Sequence, residues 1–157
     1  MEQKQFDDFD INKVKVLRSK EGTALELVVT VLLIVAWALA FHFDWTTPSD
    51  FLGVHIHTLS LSLVAILLMV LAYHPQYIHF QIGRQKGYNN IHQVELAVRA
   101  SRIMGVEMAL LVLVLNVMTA MMIEHAELVA VIFVVVLILT ALFFSVLIYR
   151  AKSVGTD

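Results

Sequence analysis

Residues 103–149 read "IMGVEMALLVLVLNVMTAMMIEHAELVAVIFVVVLILTALFFSVLIY", which is two apolar runs, Ile103–Ile123 and Leu128–Tyr149, joined by a link, Glu124–Glu127, that holds no lysine or arginine. Each run has about the ~20 residues that an α-helix needs to cross ~30 Å of hydrocarbon. Strands of a membrane barrel alternate apolar with polar residues, and neither run does. The stretch therefore reads as two antiparallel membrane helices with a short link. Working back toward the N terminus, two further runs of this kind appear, Ala24–Phe43 and about Phe51–Tyr73. Ala38-Leu39-Ala40 resembles a signal-peptide cleavage site. However, the leader before the first run is long and carries Asp7, Asp8 and Asp10, which is wrong for a signal peptide.

The composition agrees. Hydrophobic residues make up 59% of the 157 and charged residues 15%, against about 45–50% and 25% in soluble domains. A net charge of −2 gives no basis for nucleic-acid binding. The chain has no cysteine, so disulfides, thiolate metal sites and a cysteine nucleophile are excluded.

Charge sets the orientation. The bases fall in a leader (Lys4, Lys13, Lys15, Arg18, Lys20), a central link (Arg84, Lys86, Arg99, Arg102) and a tail (Arg150, Lys152). The links His42–Asp50 and Glu124–Glu127 have none. With four spans, every base lies on one side of the bilayer, and the positive-inside rule makes that side the cytoplasm. The expected fold is all-α, a four-span transmembrane helical bundle with both termini cytoplasmic and a partly ordered cytoplasmic link between spans two and three. Its parts are a leader 1–23, a membrane domain 24–149 with spans at about 24–43, 51–73, 103–123 and 128–149, a link 74–102, and a tail 150–157. The expected location is the bacterial inner membrane.

Local signals refine this layout. Thr47, Pro48 and Asp50 suit the first turn of the second helix, which is expected over Pro48–Tyr73. Pro75 stops it. Tyr77–Ile82 alternates and is expected to be extended. Asn90 with Gln93 forms a capping-box pattern, and the helix it starts should run unbroken to Ile123, about 50 Å at 1.5 Å per residue. Gly105, Ala109, Asn116 and Thr119 share one face of that helix. Small residues there permit close packing, and Asn116 can hydrogen-bond to a neighbour. This face is the expected contact with a membrane-protein partner or a second copy of the chain. The fourth run is the one expected to face lipid.

Three sets of residues could carry chemistry. On the outer side, His42, His57 and His125 are metal or haem candidates, but His55 and His57 diverge by about 200° on a helix, unlike paired ligands at i, i+4. Glu26 and Glu107 lie one to two turns inside the inner interface, where an ionisable group either moves protons or ions, snorkels, or pairs with a base. With Asn116 they are the intramembrane polar candidates. Arg84, Lys86, Arg99 and Arg102 are expected to anchor to anionic lipid headgroups. No phosphate loop or dinucleotide fingerprint is present, and Ser60 and Ser62 have no base in helical register.

Residues His42–Gly53, "HFDWTTPSDFLG", resemble the outer-link signature of a small bacterial membrane domain of unknown function found in SdpI-like immunity and signalling proteins. His42, Phe43, Asp44, Pro48, Asp50 and Gly53 follow that order. The segment from His74-Pro75 through the helix that carries Arg102 is similar to the same family's link after its second span. The resemblance implies a helical membrane fold and no enzyme activity. The expectation is thus a protein without catalytic residues or cofactor, which acts in the lipid bilayer as an accessory, immunity-like or sensing protein through helix contacts. The alternatives are a small haem- or metal-binding redox protein using the outer histidines, and an ion- or proton-linked transporter protomer using Glu26 and Glu107.

Overall fold

The computed structural model of the chain describes residues 11, 14–16, 19–46, 51–78, 88, 90–123 and 125–151. Four α-helices occur there, α1 (Lys20–Thr46), α2 (Phe51–Leu71), α3 (Ile91–Ala120) and α4 (Ala126–Arg150). No strand is found among the described residues.

Helix α1 starts four residues before its apolar run. Ser19 Oγ accepts the Gly22 backbone N–H at 2.9 Å, so a polar cap that hydropathy does not register sets the start. The turn proposed at Thr47–Asp50 lies outside the described residues. Helix α2 stops at Leu71, and a tightened turn follows, with Tyr73 N–H on the Val70 carbonyl at 3.0 Å and His74 N–H on Leu71 at 2.8 Å. Extended structure was expected from Tyr77, but Tyr77 closes a 3₁₀ turn, Pro75–Tyr77. Pro75, with its fixed φ, sits at the first position of that turn and favours it over a strand. Ile78 is extended (φ −88°, ψ 118°), and residues 79–82 lie outside the described part.

Asn90 caps α3, its side-chain oxygen accepting from Gln93 N–H at 2.9 Å. The helix then continues for 30 residues without a break. It ends at Ala120, three residues earlier than expected. Met122 and His125 take left-handed backbone (φ 52° and 70°) in the hairpin to α4.

Helix α3 is the spine. It packs against α1, α2 and α4, while α1 and α2 touch each other less, and α4 packs chiefly on α3. The main core joins Val29, Leu33 and Ala36 of α1, Ala65 and Met69 of α2, and Met108, Ala109, Leu111 and Val112 of α3. A second core unites the start of α3 with the turn after α2: Val94, Ala97 and Val98 meet Ala72, Ile78, Tyr88 and Ile148, with Ile11, Val14 and Val16 against them. Ile78 and Tyr88, described residues of the link, are thereby packed against the start of α3. Three helices are long and apolar enough to cross a membrane, α1 over Lys20–His42, α3 over Ile91–Ala120 and α4 over Glu127–Arg150; the described apolar part of α2, His55–Leu71, is shorter. Helix α4 leaves Val131, Ile132, Val135, Ile138, Leu139 and Phe143 exposed, a surface that lipid would cover.

Candidate functional site

Three polar clusters interrupt this apolar packing. The first lies at the end of the bundle where α1 begins and α2 and α4 finish. Arg102 of α3 is only 6% exposed. Its guanidinium stands over the Tyr73 ring, 5.3 Å from the centroid, and Nη2 is 3.9 Å from Glu26 Oε1. The Tyr73 hydroxyl donates to the same carboxylate oxygen. A helix of aliphatic residues makes room for so large a cation through Gly22. A Cβ there would come within 2.5 Å of the guanidinium carbon. Outside this cluster, Arg99 grips Glu21 with two bonds, Nε to Oε1 at 2.8 Å and Nη2 to Oε2 at 2.6 Å.

The four bases assigned above to lipid headgroups thus divide. Arg84 and Lys86 lie outside the described residues. Arg99 and Arg102 are turned to carboxylates of α1, and Arg102 is buried. The sequence pattern could not show this, because Glu21 and Glu26 are nearly 80 residues away along the chain. Glu26 does pair with a base of the link, one of the roles open to it in the sequence.

Deeper in the bundle, Asn116 ties three helices. Its Nδ2 donates to the Ala36 carbonyl of α1 at 2.9 Å. Its Oδ1 accepts from Thr58 Oγ1 of α2 at 2.9 Å and lies 3.2 Å from His57 Nε2. Gly105, on the same face, lets α2 come so near that a Cβ would stand 3.3 Å from Met69 and 3.4 Å from the Ala65 carbonyl. One turn further along α3, Ala109 is fully buried. The face formed by Gly105, Ala109 and Asn116, the expected contact with a partner, is packed against α1 and α2 of the same chain. Ser101 adds another tie, donating to the Leu68 carbonyl at 2.6 Å.

Glu107 forms the third cluster. It faces α4, where Thr140 Oγ1 donates to its Oε1 at 2.7 Å; Oε2 is buried with no hydrogen-bond partner. It is neither snorkelled nor paired with a base, as the sequence had suggested, because the third helix turns this side toward α4.

The histidines are in separate settings. His55 stacks on Trp37 of α1 (centroids 6.0 Å apart, planes 13° apart) and lies 5.4 Å from Phe41, whereas His57 turns to Asn116. His42 is exposed on α1. His125, in the α3–α4 hairpin, has Nδ1 3.6 Å from Glu127 Oε1. No group of three or more histidine or acidic side chains set to hold a metal ion occurs among the described residues.

Two concave surfaces lie beside these clusters. A cleft of about 740 Å³ runs between α1 and α2 from Glu26 and Tyr73 to Trp37 and Phe41. Ser62 lies along it, 4% exposed, with its hydroxyl lacking a partner. A second pocket of about 420 Å³ lies between residues 14–19, the start of α1 and the first turns of α3. Sequence reading missed Tyr73 and Gly22, and weighed Ser62 only as a nucleophile. Only Gly22 carried a signal, since a glycine within a helix marks a close approach. In comparisons with protein-family models, curated proteins and solved structures, the chain matches none.

Proposed function

We propose that the chain is a four-span protein of the bacterial inner membrane, with both termini in the cytoplasm, and that it works without catalysis as an accessory, immunity-like or sensing protein through contacts of its helices. Three helices long and apolar enough to cross a membrane support this reading. The one-sided distribution of lysine and arginine supports the orientation, and α2, 21 residues long, supports the fourth span. The SdpI-like resemblance of the outer link belongs to this reading.

The observation that carries the role is where the membrane-embedded polar groups go. Asn116, Thr58, His57, Ser101, Glu26, Tyr73 and Arg102 bind one helix to another. What the bundle offers outward is apolar helix surface, which suits contact with another membrane component. A single cysteine placed at Lys86 should react with an impermeant reagent only after cells are opened, and one at Asp44 should react in intact cells. The reverse pattern would refute the topology. Crosslinking in intact membranes, followed by pull-down, tests the role; a chain recovered only alone would count against it.

One observation favours the transporter reading, the unpartnered Oε2 of Glu107 inside the bundle, because ionisable groups at such depth tend to serve ion or proton movement. Proton flux into vesicles that contain the chain, lost in Glu107→Gln, would establish it.

A further inference from the structure

We infer that the cleft between α1 and α2 binds a neutral long-chain alcohol, with its hydroxyl on Glu26 and its chain lying toward Trp37. Helices α1 and α2 both pack on α3 and touch each other little, which leaves a cleft of about 740 Å³ between them. Its walls are apolar along most of their length, and no lysine or arginine lines it. Most of its polar side chains are already engaged or hidden. Ser62 is buried, Thr30 Oγ1 donates to the Glu26 backbone carbonyl at 2.8 Å, and the Tyr73 hydroxyl donates to Glu26 Oε1. Arg102 Nη2 stands 3.9 Å from that same oxygen. Glu26 Oε2 is left. It accepts no hydrogen bond among the described residues, and the Glu26 side chain, which lines the cleft, is 25% exposed.

The open oxygen and the length of the cleft select the occupant. A carboxylate only accepts hydrogen bonds, so the ligand must bring a donor. Glu26 follows Lys20 by six residues, which sets it about 9 Å along the helix from the base that marks the bilayer edge. A charged head at that depth is costly, and the glycerol esters of an ordinary phospholipid offer acceptors but no donor. An uncharged hydroxyl meets both conditions, since it can lie below the charged headgroups and it donates to a carboxylate, one of the stronger kinds of hydrogen bond. From Glu26 to Phe41 the cleft follows α1 for about 22 Å at 1.5 Å per residue. A chain confined to one leaflet has only about half of a ~30 Å slab. The tail that fills this cleft therefore passes the midplane and ends at Trp37 and Phe41, whose rings are 5.6 Å apart. The site rests on the reading of α1 and α2 as membrane spans and is independent of the accessory role.

The test uses the full chain in phosphocholine vesicles, with Trp45→Phe so that Trp37 is the sole tryptophan. A long-chain alcohol brominated toward its methyl end is titrated in, and tryptophan fluorescence is read, because bromine quenches an indole that it touches. The methyl ether of the same alcohol, which has no donor, is the comparison. The alcohol should quench Trp37 saturably, with an apparent affinity about tenfold above that of the ether, as for one hydrogen bond to a charged group. Ala38→Phe fills the cleft from an exposed position on α1 and leaves Glu26 in place, so it should reduce quenching by the alcohol to the level of the ether. Equal quenching by alcohol and ether would overturn the site and leave the cleft to phospholipid chains or a partner helix. Saturable quenching that survives Ala38→Phe would also overturn it. The spans are checked separately in Trp37→Phe, Trp45→Phe, Val135→Trp, whose tryptophan lies on an exposed part of α4 and should be quenched by brominated phosphocholine lipid. Failure there would overturn the membrane reading, whereas success there with no difference between alcohol and ether would overturn the site alone.

Discussion

Asn116 shows how one side chain organises the membrane core. An amide has two donors and an acceptor with two lone pairs, and here one donor reaches α1 while the acceptor serves two groups of α2. In hydrocarbon no water replaces a lost partner, yet measured cross-helix bonds average only about 0.6 kcal/mol each and reach about 1.7. Asn116→Leu is therefore expected to lower stability by about 2 kcal/mol, read as the free energy of unfolding in a denaturing-detergent titration. In a double-mutant cycle with Thr58→Val, a coupling of about 0.5–1.5 kcal/mol should appear. Additive effects would mean that the Thr58 bond contributes nothing. His92 provides the contrast. It is exposed, and its contact with Glu95 is 3.6 Å long, so His92→Ala should change stability by no more than about 0.5 kcal/mol. That Asn116 would bond across helices was legible in the sequence, because a lone amide in an apolar run has few other ways to be satisfied. Which helices it would join was not legible, since Ala36 and Thr58 lie 80 and 58 residues away.

At the scale of elements, the start of α3 and the end of α4 complete each other. The last carbonyls of any helix lack partners within it. Here Asn90 Nδ2 donates to the Ala151 carbonyl at 3.2 Å, and Gln93 Nε2 donates to the Ile148 carbonyl at 2.9 Å. Asn90 also caps its own helix, so its two ends serve two elements. Asn90→Ala should cost about 0.5–2 kcal/mol for the cap alone. Gln93→Leu leaves the cap in place but strips a buried carbonyl of its donor, and about 1 kcal/mol is expected. Hydrogen exchange at 147–151 should quicken in both variants while the centre of α1 stays protected. Exchange that quickens throughout would show that these bonds support the whole bundle. The asparagine cap was readable because its partner is three residues away, whereas the ties to α4 depend on a helix that returns more than 50 residues later. The same distinction explains Tyr77. Alternating apolar residues suggest a strand, but Pro75 at the head of a turn governs the backbone more directly.

For the whole molecule, hydropathy disclosed the membrane helices because a ~30 Å apolar slab demands their length. It did not disclose that α3 is central, since α4 is the more hydrophobic of the two. The buried share of their apolar windows separates them, 39% for α3 against 17% for α4. The glycine, alanine and asparagine on α3 gave the clue, for small and polar residues gather where helices meet. Helix α4, by contrast, joins the rest chiefly through α3, with the Glu107–Thr140 bond midway and the Asn90 and Gln93 ties at its end. Among the described residues it has no counterpart to the three-way junction at Asn116. Of the four helices it has the least contact with the rest, and a load on the C terminus should detach it first. Pulling single molecules from a bilayer by residue 157 is expected to release α4 in its own step, before α1, α2 and α3 yield together. Thr140→Val removes one bond, worth about 0.6 kcal/mol, and should lower the first force peak while leaving the second unchanged. Release of all four helices in one step, or equal weakening of both peaks, would show that α4 is bound into the core more firmly than its contacts indicate.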